Sequence, residues 1–215
     1  MPFKICLFDL DGTLTDSKEG IINSFKYTLN HYGLEAPEDG FEKFIGPALR
    51  DIFKMYCGFD DARAEEATAK YRERYSTVGM FENKLYPGVI EMLKTLHERN
   101  VKIALATSKT ALYADKILTH FGIRDYFSFV SGSEMDGRRS GKKELIEYAL
   151  ENLGALNAKN QAVMIGDREY DIIGAAQAGI SSIGVTYGYG SREELLQAGA
   201  DILTDRADLI PGIII

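Results

Sequence analysis

The stretch ICLFDLDGTLTDS, Ile5 to Ser17, runs from an unbroken apolar segment into two aspartates, Asp9 and Asp11, set two residues apart. A continuous apolar run of this length reads as a β-strand covered on both faces, the kind found in parallel sheets with helical crossovers. Open sheets of that type bind their ligands beyond the carboxyl ends of the strands. The two carboxylates stand where such a strand would deliver them. Asp-Gly after an apolar run is also a common turn signal, so the choice between a turn and a site rests on what recurs later in the chain.

Four further runs of strand length follow the first, which extends back to FKICLF (3–8). They are VKIALA (101–106), FSFVSG (127–132), QAVMIG (161–166) and SSIGV (181–185), each trailed by turn or polar residues and a helix-like segment. The alternation predicts an α/β fold, a Rossmann-like parallel sheet between two layers of helices. Residues 16–82 hold no strand-like segment. They read as helices: DSKEGIINSFKYTLNHYG closes at Gly33, LRDIFKMYCG at Gly58 and DDARAEEATAKYRERYSTVG at Gly79. A crossover of that size exceeds an ordinary βαβ link. It predicts an all-helical cap subdomain over 16–82, inserted into an α/β core formed by 1–15 and 83–215. The tail PGIII reads as a short closing segment.

Composition narrows the class. A chain of 215 residues can bury a sizeable core. Its formal net charge of -7 argues against nucleic-acid or membrane-surface binding as the main role, because phosphate backbones need a basic face. The apolar stretches are strand-sized and the N-terminus carries no signal-peptide pattern, so a cytoplasmic location is expected. Cys6 and Cys57 lack metal-ligand spacing and read as buried fillers. His31, His97 and His120 fall in predicted helices and form no persuasive Ser-His-Asp order.

The residues just beyond each apolar run are polar every time: Asp9 and Asp11, then Thr107 and Ser108, then Asp167. Lys142 and Lys143 follow the third run after the loop SEMDGRRSG, and the spacing to YALENLG selects Lys142. Asp171 lies four residues beyond Asp167, which on a helix places both carboxylates on one face. Acids meeting without compensation repel by roughly 4 kcal/mol per pair at about 4 Å and an effective dielectric near 20. A divalent cation relieves this, and hard oxygen ligands suit Mg2+, which also takes a substrate phosphate oxygen. A carboxylate can then attack phosphorus.

The set DLDGTLTDS, ATS, a lysine opening the fourth crossover helix, and IGDREYD resembles the haloacid dehalogenase-like superfamily, specifically its phosphatases with a helical cap inserted after the first motif. The resemblance covers nearly the whole chain in order and spacing. It implies an aspartyl-phosphate on Asp9, with Asp11 as general acid and then base. It implies metal ligation by the carboxylates of Asp9 and Asp167 and the backbone carbonyl of Asp11, with Asp171 holding waters or the lysine. Thr107, Ser108 and Gly12 would grip the phosphoryl group, and Lys142 would neutralise charge. Dehalogenase-type members lack an aspartate two residues after the nucleophile, so Asp11 favours phosphate esters.

The expected activity is a Mg2+-dependent phosphatase similar to phosphoglycolate phosphatases and 5'-nucleotidases, acting as monomer or homodimer on a small phosphorylated metabolite. A phosphomutase resembling β-phosphoglucomutase is the nearest rival, and a non-catalytic phosphate-binding module the more distant one. Cap residues Glu19, Phe44, Gly46 and Arg50 are candidates for substrate selection, although Arg50 also fits a surface salt bridge. Lys109, Arg138, Arg139, Arg168 and Glu169 read as solvated surface residues. Thr107 and Ser108 are suited to capping the next helix as well. The glycines of TYGYGS (186–191) would let backbone approach substrate.

Overall fold

The computed structural model describes residues 3–36, 45–46 and 49–214. In chain order its elements are β1 (Ile5–Phe8), β2 (Thr15–Asp16), α1 (Lys18–His31), α2 (Leu49–Cys57), α3 (Asp61–Tyr75), β3 (Lys84–Leu85) and α4 (Val89–Glu98). There follow β4 (Lys102–Thr110), α5 (Ala111–His120), β5 (Phe129–Ser133), α6 (Lys142–Asn152), β6 (Ala162–Gly166) and α7 (Glu169–Ala178). The chain continues through β7 (Ser181–Val185), α8 (Arg192–Gln197), β8 (Ile202–Thr204) and α9 (Ile210–Ile214).

Six strands form one sheet in the order β5-β4-β1-β6-β7-β8, and every neighbouring pair is parallel. From β1 the chain adds strands on one side, then crosses to add the rest on the other. The direction of winding reverses between β1 and β6. Doubly wound sheets open a crevice at that reversal, beyond the carboxyl ends of the strands. Residues that follow β1 and β6 are therefore the ones the topology brings together.

The sheet is apolar on both sides, which is why its strands read as continuous runs. Ile5, Leu7, Ala104, Ala106 and Met164 pack with Leu145, Ile146 and Ala149 of α6 and Ala175 of α7. The alternate residues Cys6, Phe8, Ile103, Leu105, Val163 and Ile165 are equally buried and point to the other face. Leu7 lies opposite Ala104 and Met164, and Phe8 opposite Leu105 and Ile165. Each such large side chain contributes on the order of 2 kcal/mol by leaving water. The base of the crevice is thus a stiff, well-packed floor.

The chain divides into two compact units, one made of the residues up to Thr15 and from Leu85 onward, the other Asp16–Lys84. The second unit holds α1, α2 and α3. Phe25 of α1 lies 5.2 Å from the ring of Phe53 in α2 and 5.1 Å from Tyr71 in α3, so one aromatic joins three helices. Asp60 caps α3 by accepting from the Arg63 amide at 2.9 Å. Where the chain passes between units, β2 and β3 pair as a two-stranded sheet.

Several boundaries differ from the pattern in the sequence. β4 runs four residues past its apolar stretch, to Thr110. β8 is a three-residue edge strand with no apolar run to announce it. The tail folds as α9, with Pro211 in the first turn, where its missing N–H costs nothing. Cys6 is buried as expected, but Cys57 is half-exposed. Among the described residues no helix is long and apolar enough to cross a membrane.

Candidate active site

β1 ends by delivering Asp9, whose N–H donates to Ile165 O at 2.9 Å and so extends the ladder with β6 by one bond. The chain then turns on itself, with the Leu14 and Thr15 amides both bonded to Leu10 O. The Asp-Gly pair is a turn as well as a carrier of carboxylates. Gly12 sits at φ +85°, and a Cβ there would stand 2.1 Å from Asp167 Oδ2. Its amide donates to Thr15 O at 2.8 Å. The Gly12 amide is thus engaged inside the turn, and its lack of a side chain makes room for Asp167.

Asp167 follows β6 directly and is fully buried. Asp171 is the third residue of α7, and its Oδ2 accepts from the Arg168 amide at 3.1 Å. Asp167 lies before the helix, so the expected shared helical face does not exist. The capping bond of Asp171 brings the two acids together instead. The first residue of α6, Lys142, is buried and completes the group. Its Nζ lies 3.1 Å from Asp9 Oδ1 and 2.7 Å from Asp171 Oδ1, and it donates to Ala106 O at 3.0 Å. Lys143 is exposed.

Asp9, Asp167 and Asp171 each offer an oxygen within 4.8 Å of the others. Three buried carboxylates face one ammonium. Burial pushes the Asp167 carboxyl well above its usual range, and the charges of Asp171 and Asp9 push it further, against hydrogen bonds from Tyr189 and Thr13. Burial likewise pushes Asp171 up to about 6, opposed by Lys142 and reinforced by Asp9. Burial penalises the Lys142 ammonium, yet Asp171 and Asp9 outweigh it and hold its pKa above the ordinary lysine value. The excess of negative charge and the all-oxygen donor set fit a hard divalent cation.

Asp11 points elsewhere. Its Oδ2 lies 2.8 Å from Lys109 Nζ, and its Oδ1 is buried without a hydrogen bond. The side chain of Lys109 is only 8% exposed, which corrects its reading as a solvated lysine. β4 continues to Thr110 with a register shift between Thr107 and Thr110, and Lys109 lies in that irregular stretch beside Asp11. Thr107 is buried and its Oγ1 accepts from the Lys109 amide at 3.3 Å. Ser108 O accepts from Ser133 Oγ at 2.8 Å. Neither residue caps α5, which begins after Thr110.

Residues to which the motifs assign no role complete the surroundings of Asp167. The Thr13 hydroxyl donates to its Oδ1 and the Tyr189 amide to its Oδ2, each at 2.9 Å. Gly188 and Gly190 press against Asp167, so the glycines of 186–191 approach an acid of the site, where substrate was expected. Arg168 and Glu169 also depart from the surface reading. Glu194 accepts from Arg168 Nε at 2.7 Å and from the Glu169 amide at 2.9 Å, holding the start of α7. In the helical unit Glu19 is exposed, Gly46 is half-buried, and Arg50 pairs with Asp61 at 3.2 Å on the surface. Phe44 lies outside the described residues.

The model of the haloacid dehalogenase-like hydrolases matches residues 6–185. The chain belongs to that family. A relative named 5'-nucleotidase from Pseudomonas aeruginosa is 44% identical over 190 residues, covering 88% of this chain and 85% of its own. A relative named tyrosine-protein kinase PtkA from Mycobacterium tuberculosis is 38% identical over 207 residues, covering 96% of this chain and 70% of its own. The crystal structure of a "predicted phosphatase" from Clostridium acetobutylicum superposes with a TM-score of 0.94 at 44% identity, covering 100% of this chain and 99% of the other. The six-stranded parallel sheet described above is thus the haloacid dehalogenase-like fold.

Proposed function

We propose that the chain is a Mg2+-dependent phosphatase of small phosphomonoesters that works through an aspartyl-phosphate on Asp9. The observation that carries this reading is the meeting of Lys142 with both Asp9 and Asp171, beside Asp167, at the reversal point of the sheet. A carboxylate attacking a phosphate dianion needs its charge offset on both sides. Lys142 supplies one part of that offset. A divalent cation held by Asp9, Asp167, Asp171 and the carbonyl of Asp11 would supply the rest as a Lewis acid.

In the first half-reaction an Asp9 oxygen forms a bond to phosphorus while the ester P–O bond breaks, and Asp11 gives its proton to the departing oxygen. In the second, water attacks phosphorus, Asp11 takes the water proton, and the bond to Asp9 breaks to release phosphate. Thr107 directly follows the apolar run of β4, suited to holding the phosphoryl group by its hydroxyl. The helical unit Asp16–Lys84 is assigned the part of a cap, with Glu19, Gly46 and Arg50 as candidate selectors.

The similarity to a protein named 5'-nucleotidase supports nucleoside monophosphates as first substrates to try, with phosphoglycolate beside them. The test is phosphate release across nucleoside monophosphates, phosphoglycolate and sugar phosphates, with Mg2+ and with a chelator. Release should require the metal and disappear in Asp9→Asn while the circular dichroism spectrum stays native. Appreciable release by Asp9→Asn would remove the nucleophile assignment. Isomerisation of a sugar phosphate in place of release would favour the mutase.

A further inference from the structure

Asp167 differs from the other two acids of the trio in how it is held. Asp9 and Asp171 share Lys142, whereas among the described residues Asp167 has no ion pair. Its two oxygens meet neutral donors instead, Thr13 Oγ1 on one and the Tyr189 amide on the other. A carboxylate has about four lone-pair sites. Two neutral hydrogen bonds fix its orientation, leave sites open and cancel none of its charge. Asp167 is therefore the acid of the trio that no cationic side chain among the described residues already serves.

A continuous chain of contacts stands behind that arrangement. The half-buried Tyr187 donates its hydroxyl to Thr13 O at 2.9 Å, so the residue that orients Oδ1 is itself fixed from the loop. Tyr86 packs on the Tyr187 ring at 5.0 Å. A Cβ at Gly188 would lie 2.3 Å from Gly12 O and 2.4 Å from Asp167 Cβ, and one at Gly190 would lie 2.0 Å from Asp167 O. The loop reaches Asp167 only because these positions carry no side chain.

From this geometry we infer that Thr13 and the loop Tyr187–Gly190 are positioning residues for the metal, acting through Asp167. The inference rests on the proposal that the acid trio holds Mg2+. A ligand locked in place pays less to become ordered when the ion arrives, and losing such a partner typically weakens metal binding by about 10–100-fold.

The test is calorimetric titration of Mg2+ into the full chain without substrate, for the unaltered protein and for Thr13→Val, Thr13→Ser and Tyr187→Phe. Thr13→Val, which keeps the shape and removes the hydroxyl, should raise the dissociation constant by about 10-fold or more. Thr13→Ser restores the donor and should return it to near the starting value. Tyr187→Phe should weaken binding in the same direction by less, and it carries the test if Thr13→Val does not fold. Melting curves in chelator identify the folded variants. Folded Thr13→Val and Tyr187→Phe proteins that bind Mg2+ as the unaltered protein does would overturn the inference alone. An unaltered protein that takes up no Mg2+ would overturn the metal reading and this inference with it.

Discussion

Lys142 and Lys143 are adjacent in sequence and opposite in circumstance. Successive helical residues point about 100° apart, so the first turn of α6 can send one lysine into the crevice only by sending the other to solvent. Lys142→Ala should lower kcat by about 100- to 1000-fold, the range for removing one group that stabilises developing charge. It should also destabilise the metal-free protein, since Asp9 and Asp171 lose the ammonium they share. Lys143→Ala should leave both kcat and melting temperature close to the starting values, and steady-state kinetics with thermal melts on the pair check this. Asp9, Asp167, Asp171 and Lys142 could all be picked out by their place after apolar runs. Lys109 could not, because the polar end of β4 looks like a loop in sequence, and the strand there continues only through a register shift. Thr13 and Tyr189 stand in stretches the sequence singles out, but their bonds to Asp167 were not legible because they join segments more than twenty or a hundred residues apart.

At the scale of elements, the contact between α6 and α7 decides where Lys142 stands. Gly174 of α7 faces its stem, and a Cβ there would come within 2.7 Å of both Lys142 Cβ and Cγ. Alanine is favoured over glycine in a helix by up to about 1 kcal/mol. Overpacking of this kind costs roughly 1–3 kcal/mol, and the displaced atoms are the rigid root of the lysine. Gly174→Ala should therefore be destabilising and slow, with urea unfolding and kcat both showing it.

In the helical unit one link that responds to pH is Arg74 with Glu82, a two-pronged pair at 2.7 and 2.8 Å. The Arg74 hydrogen bonds hold the Glu82 carboxyl below its usual value, against a smaller opposing effect of burial. A depressed carboxyl contributes stability above its unfolded pKa, near 4.3, and loses it as pH falls through the lower folded value. Glu82→Gln should thus cost up to about 1 kcal/mol at neutral pH, with the difference shrinking toward acid in melts across pH. The longer strands were legible because burial on both faces leaves mostly apolar residues. β2, β3 and β8, at two or three residues each, are too short to carry any period.

For the whole molecule the question is how a site with three buried acids and one lysine affects a chain that already carries a net charge of -7. Both features favour cations, one through a specific site and the other through a diffuse field. They separate by experiment. A ligand that binds only the folded state adds about 2.7 kcal/mol at a hundredfold excess over its dissociation constant. For a chain of this size each kcal/mol moves the melting temperature by roughly 2–4 °C, so saturating Mg2+ should raise it by about 5–10 °C over chelator. Diffuse screening depends on ionic strength alone, and sodium chloride at matched ionic strength should produce little of that rise. All three acids lie in the α/β unit, and Asp16–Lys84 contributes none of them. The Mg2+ increment should accordingly persist in Glu82→Gln, which weakens the helical unit, and shrink in Asp9→Asn, which removes a ligand. Equal increments from sodium and magnesium would mean that the acids answer only to the field of the whole protein and hold no ion of their own.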